Sequence, residues 1–188
     1  FANDSTAVSK SLAAYYEDKY HQAVTYIPSG INPTLERPAQ EILKHNIVPF
    51  QYFLYVGRLS REKRIHDLIQ AYQALPTNTM KLVIVGKERI GDKDYRAELN
   101  QLSANNPNII FVGAAYGNTL VEWYSNARAY ILPSQMEGLP ITLLEAMSFG
   151  RCCIASDIEA NQEALASKGL LYPVGKIEPL TNHLQFAI

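Results

Sequence analysis

The chain has 188 residues, 47% hydrophobic and 19% charged, with a net charge of −1. That is globular material, enough for one good-sized domain that removes about 70% of its unfolded surface from water. It excludes a disordered chain and any global pull towards nucleic acid or anionic membrane, so an anion site has to be local.

In chain order, Ser9 is placed to cap a helix carrying Leu12, Tyr15 and Tyr16. Ala23 to Ile27 reads as a short strand, stopped by Pro28-Ser29-Gly30, and Glu41 to Lys44 as a brief helix before Pro49. Tyr52-Phe53-Leu54-Tyr55-Val56 is a buried-type strand ending at Gly57, followed by a basic loop. Ile65, Leu68, Ile69, Tyr72 and Leu75 then fall at helical spacing. Lys81 to Val85 is a second strand, ending at Gly86; Tyr95 to Leu102 is helical; Asn108 to Val112 is a third strand, ending at Gly113. Thr119 and Glu122 have the spacing of a capping box for a helix through Tyr124. Ala129 to Leu132 is the fourth strand, Pro140 suits the first turn of a helix, and Gly150 suits its end. Cys152 to Ala155 and Leu170 to Tyr172 are further strands, with helical segments near Glu163 and after Pro179.

Alternating strands and helices, with strands apolar on both faces, predict an α/β fold: a Rossmann-like, doubly wound parallel sheet. The boundary falls near Val48-Pro49, with residues 1–48 as a lead-in and 49–188 as the Rossmann-like domain. The chain starts with Phe1 and ends within an apolar pattern at Ile188, which reads as a piece of a longer protein, cut at its C-terminus. No apolar run approaches the ~18 residues of a spanning helix. The only cysteines, Cys152 and Cys153, are adjacent and have no partner elsewhere, so a reduced, cytoplasmic setting is the default. His21, His45, His66 and His183 show no metal-ligand spacing.

Two segments carry chemistry. Arg58, Arg61, Lys63 and Arg64 crowd the first strand-to-helix loop, at the sheet edge where ligands bind. Arginine grips phosphate oxygens with two parallel bonds and lysine adds a compact charge; the plain alternative is a solvated loop partly neutralised by Glu62. The second segment is Glu137-Gly138-Leu139-Pro140-Ile141-Thr142-Leu143-Leu144-Glu145. It sets two carboxylates around a turn and a helix N-terminus whose free amides suit phosphate or sugar hydroxyls. An ionised carboxylate only accepts hydrogen bonds, so it pairs well with hydroxyls. Glu145 lies among apolar residues and needs a partner, which a ribose diol would supply. The plain alternative has Glu137 capping the helix and Glu145 facing water. Asp92-Lys93-Asp94 has the Asp-x-Asp form used for Mn²⁺, but in a polar loop it reads as a turn or helix cap. Gly86 to Gly91 has P-loop-like spacing, with Asp92 where the lysine belongs, and is rejected.

Gly57-Arg58-Leu59 with Glu62-Lys63, then Leu132-Pro133-Ser134 with Glu137-Gly138-Leu139-Pro140 and Leu144-Glu145-Ala146-Met147, resemble the retaining GT-B glycosyltransferases of the group 1 type, glycosyltransferase family 4. The likeness runs from about Tyr26 to the chain end, and Pro28-Ser29-Gly30 resembles the family's Pro-Asn-Gly segment before the second domain. It implies that the chain is the C-terminal, donor-binding half of such an enzyme, taking a UDP-, GDP- or ADP-sugar as substrate, with no metal or other cofactor. By this resemblance Arg58 and Lys63 hold the diphosphate and Glu137 touches the transferred sugar, these three being the catalytic set. Gly57, Lys87, Gly138, Leu139, Pro140 and Ile141 line the donor, with backbone amides at Gly138, Leu139 and Ile141, and Glu145 binds the ribose. The loop Gly86-Lys87-Glu88-Arg89 lies near the base. The acceptor, a saccharide or lipid-linked hydroxyl, belongs to a missing N-terminal domain, in a protein that is cytoplasmic or peripheral at the inner membrane face, with no nucleic-acid partner. Three departures stand out: Arg64 where glycine often follows the loop lysine, Gly86-Lys87-Glu88 for Gly-x-Gly, and Ala160-Asn161 for a Gly-Gly pair. A reading of another class is a non-catalytic nucleotide or sugar-phosphate binding module, which would need Arg58 and Lys63 but not Glu137.

Overall fold

The computed structural model describes residues 4–32, 35–76, 80–88 and 93–188. Among these, six parallel strands form one sheet: β3 (Tyr52–Val56), β4 (Lys81–Val85), β5 (Ile109–Gly113), β6 (Ala129–Leu132), β7 (Cys152–Ser156) and β8 (Leu170–Tyr172). Their spatial order is β5-β4-β3-β6-β7-β8. A separate parallel pair, β1 (Ser5–Ala7) with β2 (Val24–Tyr26), is joined by helix α1 (Lys10–Tyr20). The sequence reading finds β2 but not β1, because Ser-Thr-Ala offers no apolar run or alternation.

Side chains alternate along each strand, which splits the core into two layers. Phe53, Tyr55, Ile84, Ile131 and Ile154 face one layer, covered by α3 (Ile65–Gln73), α4 (Lys93–Ser103) and α8 (Ile177–Ala187). Tyr52, Leu54, Val83, Tyr130 and Leu132 face the other, with Trp123, Tyr124, Leu143 and Leu165. Those four come from α5 (Gly117–Ser125), α6 (Ile141–Ser148) and α7 (Glu159–Leu165). Tyr52 to Val56 are all buried, as strands covered on both faces require. The expected doubly wound α/β sheet is therefore present. The last helix begins at Ile177, two residues before Pro179, because proline is tolerated in a first turn where its missing N–H has no intrahelical partner.

Two capping assignments separate. Ser9 Oγ accepts from the Leu12 amide at 3.3 Å, as the spacing predicts. The capping box at Thr119 and Glu122 is corrected: α5 starts at Gly117, behind Tyr116, so Thr119 is already helical. Glu122 is buried, and its carboxylate accepts from the amides of Gln40 at 2.6 Å and Ile42 at 3.0 Å. It therefore caps the short helix α2 (Glu41–Lys44) across more than 80 residues of sequence. Glu122→Ala leaves the buried Ile42 amide and the part-buried Gln40 amide without this acceptor and should cost about 2 kcal/mol in a urea titration, with Glu122→Gln, which keeps one acceptor oxygen, costing less.

Candidate functional site

Strand order reverses between β3 and β6. From β3 the chain builds outwards through β4 and β5; from β6 it builds the other way through β7 and β8. The loops leaving the carboxyl ends of β3 and β6 diverge and open a crevice, the place where ligands bind in such sheets. This crevice brings together the two segments that the sequence singled out, although about 75 residues separate them.

Three contacts join the two loops. The Gln135 amide donates to the Glu62 carbonyl at 2.8 Å. An Arg64 guanidinium nitrogen donates to Gln135 Oε1 at 3.1 Å. Lys63 Nζ donates to Glu137 Oε1 at 2.6 Å, with the two side chains only 12% and 10% exposed. Glu137 therefore does not cap the following helix, whose N-cap position, Pro140, has no side-chain cap. The basic loop is solvated only in part: Arg58 and Arg61 are exposed, whereas Lys63 and Arg64 are largely buried. Arg61 pairs with Glu98 at 2.5 Å and Arg64 with Asp67 at 2.6 Å. Arg58 makes no ion pair among the described residues and is exposed at the crevice mouth. Arg64, in place of the expected glycine, adopts the left-handed conformation (φ 48) that glycine would favour.

The crevice has three adjoining parts. The central cleft, about 400 Å³, is lined by Gly57, Arg58, Lys63, Glu137, Leu139, Pro140, Ile141 and Thr142. A smaller apolar cleft of about 230 Å³ lies between Val56, Gly86, Lys87, Ala115, Tyr116 and Leu120. On the other side, about 320 Å³ is lined by Gly30, Ile31, Tyr124, Ile141 and Glu145. Glu145 finds its partner within the protein: the Tyr124 hydroxyl donates to Glu145 Oε2 at 2.9 Å, leaving Oε1 for another donor. Among the expected backbone donors the Ile141 amide is corrected, since it is taken by the Leu139 carbonyl at 3.0 Å. The amides of Gly138 and Leu139 have no protein acceptor among the described residues. Lys87 is exposed, and its carbonyl accepts from the Leu59 amide at 3.1 Å, which ties the β4 loop to the β3 loop. A Cβ on Gly86 would overlap the Gly57 carbonyl oxygen, so this close approach demands glycine. Arg89, Gly91 and Asp92, and with them the P-loop-like spacing and the Asp-x-Asp, lie outside the described residues.

Several residues that shape the site escape a reading of the sequence. Tyr55 sits beneath the Gly57-Arg58 loop and donates to the Arg58 carbonyl at 2.8 Å; Tyr130 reaches Thr142. Both phenols are fully buried, and desolvation pushes them well above their ordinary range, so they stay neutral donors. In sequence they read only as strand aromatics. Glu62 is lowered from its ordinary value: burial would raise it, but the Ser60 hydroxyl at 2.5 Å, a backbone donor, Arg58 and Lys63 outweigh burial. Asn161, in place of the expected glycine, is buried and donates to the Ser156 carbonyl and hydroxyl, both at 3.0 Å.

With this geometry in place the family is plain: residues 41–188 match the family described as glycosyl transferases group 1, and the chain belongs to it. Among curated relatives, the lipopolysaccharide 1,6-galactosyltransferase of Salmonella typhimurium is 36% identical over 143 residues, 72% of this chain and 39% of that protein. The GDP-mannose-dependent alpha-mannosyltransferase of Mycobacterium tuberculosis is 31% identical over 182 residues, 93% of this chain and 44% of that protein. The chain thus spans less than half the length of these relatives. A solved structure of Anabaena Alr3699/HepE with UDP and glucose superposes on 99% of the chain and 53% of its own, with a TM-score of 0.89 at 21% identity. The sheet has the Rossmann-like architecture of the GT-B fold. No helix among the described residues is long and apolar enough to cross a membrane.

His66 beside this site has a lowered pKa, chiefly because burial disfavours its charged form; Asp67 and Glu98 oppose the shift, while Arg64 and Arg61 add to it. Below its ordinary value of 6.5 the unfolded chain then binds more protons than the folded one, so stability falls as pH falls. The urea midpoint should drop between about pH 7 and 5.5, and His66→Gln should remove that part of the slope.

Proposed function

We propose that the chain is the donor-binding half of a retaining glycosyltransferase, which moves a sugar from a nucleotide-diphosphate donor to a hydroxyl acceptor. The observation that carries this is the Lys63–Glu137 pair at the crevice, with unpaired Arg58 on its rim. A donor diphosphate entering the central cleft meets Arg58 first and then draws Lys63 from Glu137. Two cations on the diphosphate stabilise the negative charge that develops on the leaving phosphate as the glycosidic bond breaks. In this reading Arg58 and Lys63, rather than a metal, meet the diphosphate charge. Glu137, freed from Lys63, accepts hydrogen bonds from the transferred sugar's hydroxyls. Gly57 lets the loop approach the phosphates, and Gly138 and Leu139 offer amides, with Pro140 and Ile141 as walls. Glu145, oriented by Tyr124, takes the ribose with its free oxygen. The apolar cleft beside Lys87 and Tyr116 receives the base.

The relatives' printed activities, a galactosyl and a mannosyl transfer, and the UDP and glucose of the Anabaena structure support a nucleotide-sugar substrate. The acceptor, a saccharide or lipid-linked hydroxyl, is held mainly by an adjoining domain, so residues 1–188 bind donor but turn over poorly. In this account the enzyme works in the cytoplasm.

Titrating the chain with UDP, GDP and ADP without metal should give saturable binding of one nucleotide, and Arg58→Ala should weaken it about ten-fold, as loss of a charge-assisted bond implies. In the full-length protein Glu137→Gln should lower kcat by about 100-fold or more while changing nucleotide affinity much less. Unchanged kcat in that variant would remove Glu137 from the catalytic set, and nucleotide binding with no sugar transfer by the full-length wild type would favour the non-catalytic binding module.

A further inference from the structure

The central cleft has one wall from β3 and one from α6, and these walls belong to chain segments about 85 residues apart. One buried side chain spans them. The Tyr130 hydroxyl, at the end of a fully buried ring on β6, donates to Thr142 Oγ1 at 2.7 Å and lies 3.3 Å from the Val56 carbonyl oxygen. Val56 immediately precedes the Gly57-Arg58 turn, and Thr142 is the second residue of α6. Both line the cleft, whereas Tyr130 does not. The phenolic proton serves one acceptor at a time; with the Thr142 hydroxyl donating to Tyr130 in turn, that proton is free for the Val56 carbonyl and the chain Thr142–Tyr130–Val56 is continuous. The neighbouring Tyr124 ring lies 5.9 Å from Tyr130 and holds Glu145 one turn further along the same helix.

We propose that Tyr130 is a positioning residue: its hydroxyl fixes the spacing between the arginine loop after β3 and the first turn of α6, and thereby the width of the cleft that takes the diphosphate and sugar. The inference rests on the donor-site reading above. The Tyr130 ring and its contact with the Val56 carbonyl are buried, and Thr142 is half-buried at the cleft wall; a hydrogen bond between two elements restrains their separation, which one within either element does not. Its loss should lower donor affinity and transfer rate without unfolding the sheet, since Tyr130→Phe keeps the ring that packs against Tyr124.

The test is nucleotide titration of the chain, with donor KM and kcat from the full-length enzyme, for Tyr130→Phe, Thr142→Val and the double variant. Tyr72→Phe is the control: it loses a buried Tyr-to-carbonyl bond of 2.7 Å, to Met80, away from the crevice. Expected are an approximately five-fold weaker nucleotide affinity and a lower kcat/KM for Tyr130→Phe, the size of one hydrogen bond. The double variant should be no worse than Tyr130→Phe, because the contact that Thr142→Val removes is one of the two that Tyr130→Phe removes. Tyr72→Phe should shift only the urea midpoint. If wild type binds nucleotide and Tyr130→Phe binds equally well, or if Tyr72→Phe weakens binding as much, the positioning role is overturned while the donor site stands. If wild type binds none of the three nucleotides in either the chain or the full-length protein, the donor-site reading itself fails.

Discussion

The reversal of strand order between β3 and β6 is the constraint from which the rest follows. A sheet covered on both faces leaves only its strand ends for chemistry, and at the reversal the connections after β3 and β6 lead away to opposite sides and leave a crevice at the strand ends. That geometry, not sequence proximity, joins Arg58 and Lys63 to Glu137 and Glu145. Each strand end meets a small residue or a turn, and the close approach of Gly86 to Gly57 lets the β4 loop lie against the β3 loop.

Electrostatics then give the crevice its character. A largely buried ion pair contributes little net stability, because desolvating both charges offsets most of their attraction. The Lys63–Glu137 pair holds each partner in place and neutralised, which is what the proposed donor site requires until a competing charge arrives. Arg64 pairs with the buried Asp67, and Arg61 pairs with Glu98 at the surface. Arg58, which makes no ion pair among the described residues, is exposed at the rim. The tyrosines beneath, Tyr55, Tyr124 and Tyr130, remain protonated through burial and act as neutral struts for the charged groups above.

Much of this was legible in the chain, for identifiable reasons. The strands from Tyr52 onward are mostly apolar runs, all but β7 ended by glycine or proline, and the helices between them keep an apolar stripe. Strand β1 was not legible, because three small residues, two of them polar, form a strand only when β2 lies beside them. Glu122 misled because helix capping by a carboxylate is local in sequence by default, and here the capped helix is α2, distant in the chain. The carboxylate pair and the basic loop were visible as residue types. The salt bridge between them, the taking up of the Ile141 amide by Leu139 and the tyrosine contacts are products of tertiary packing, and no one-dimensional pattern encodes them.

The most direct test is a crystal structure of the chain with the nucleoside diphosphate it binds. The account predicts the diphosphate against Arg58 and Lys63, the Lys63–Glu137 bond opened and the ribose on Glu145. A nucleotide seated elsewhere, or one seated in the crevice with Lys63 still held by Glu137 and Arg58 turned away, would contradict it.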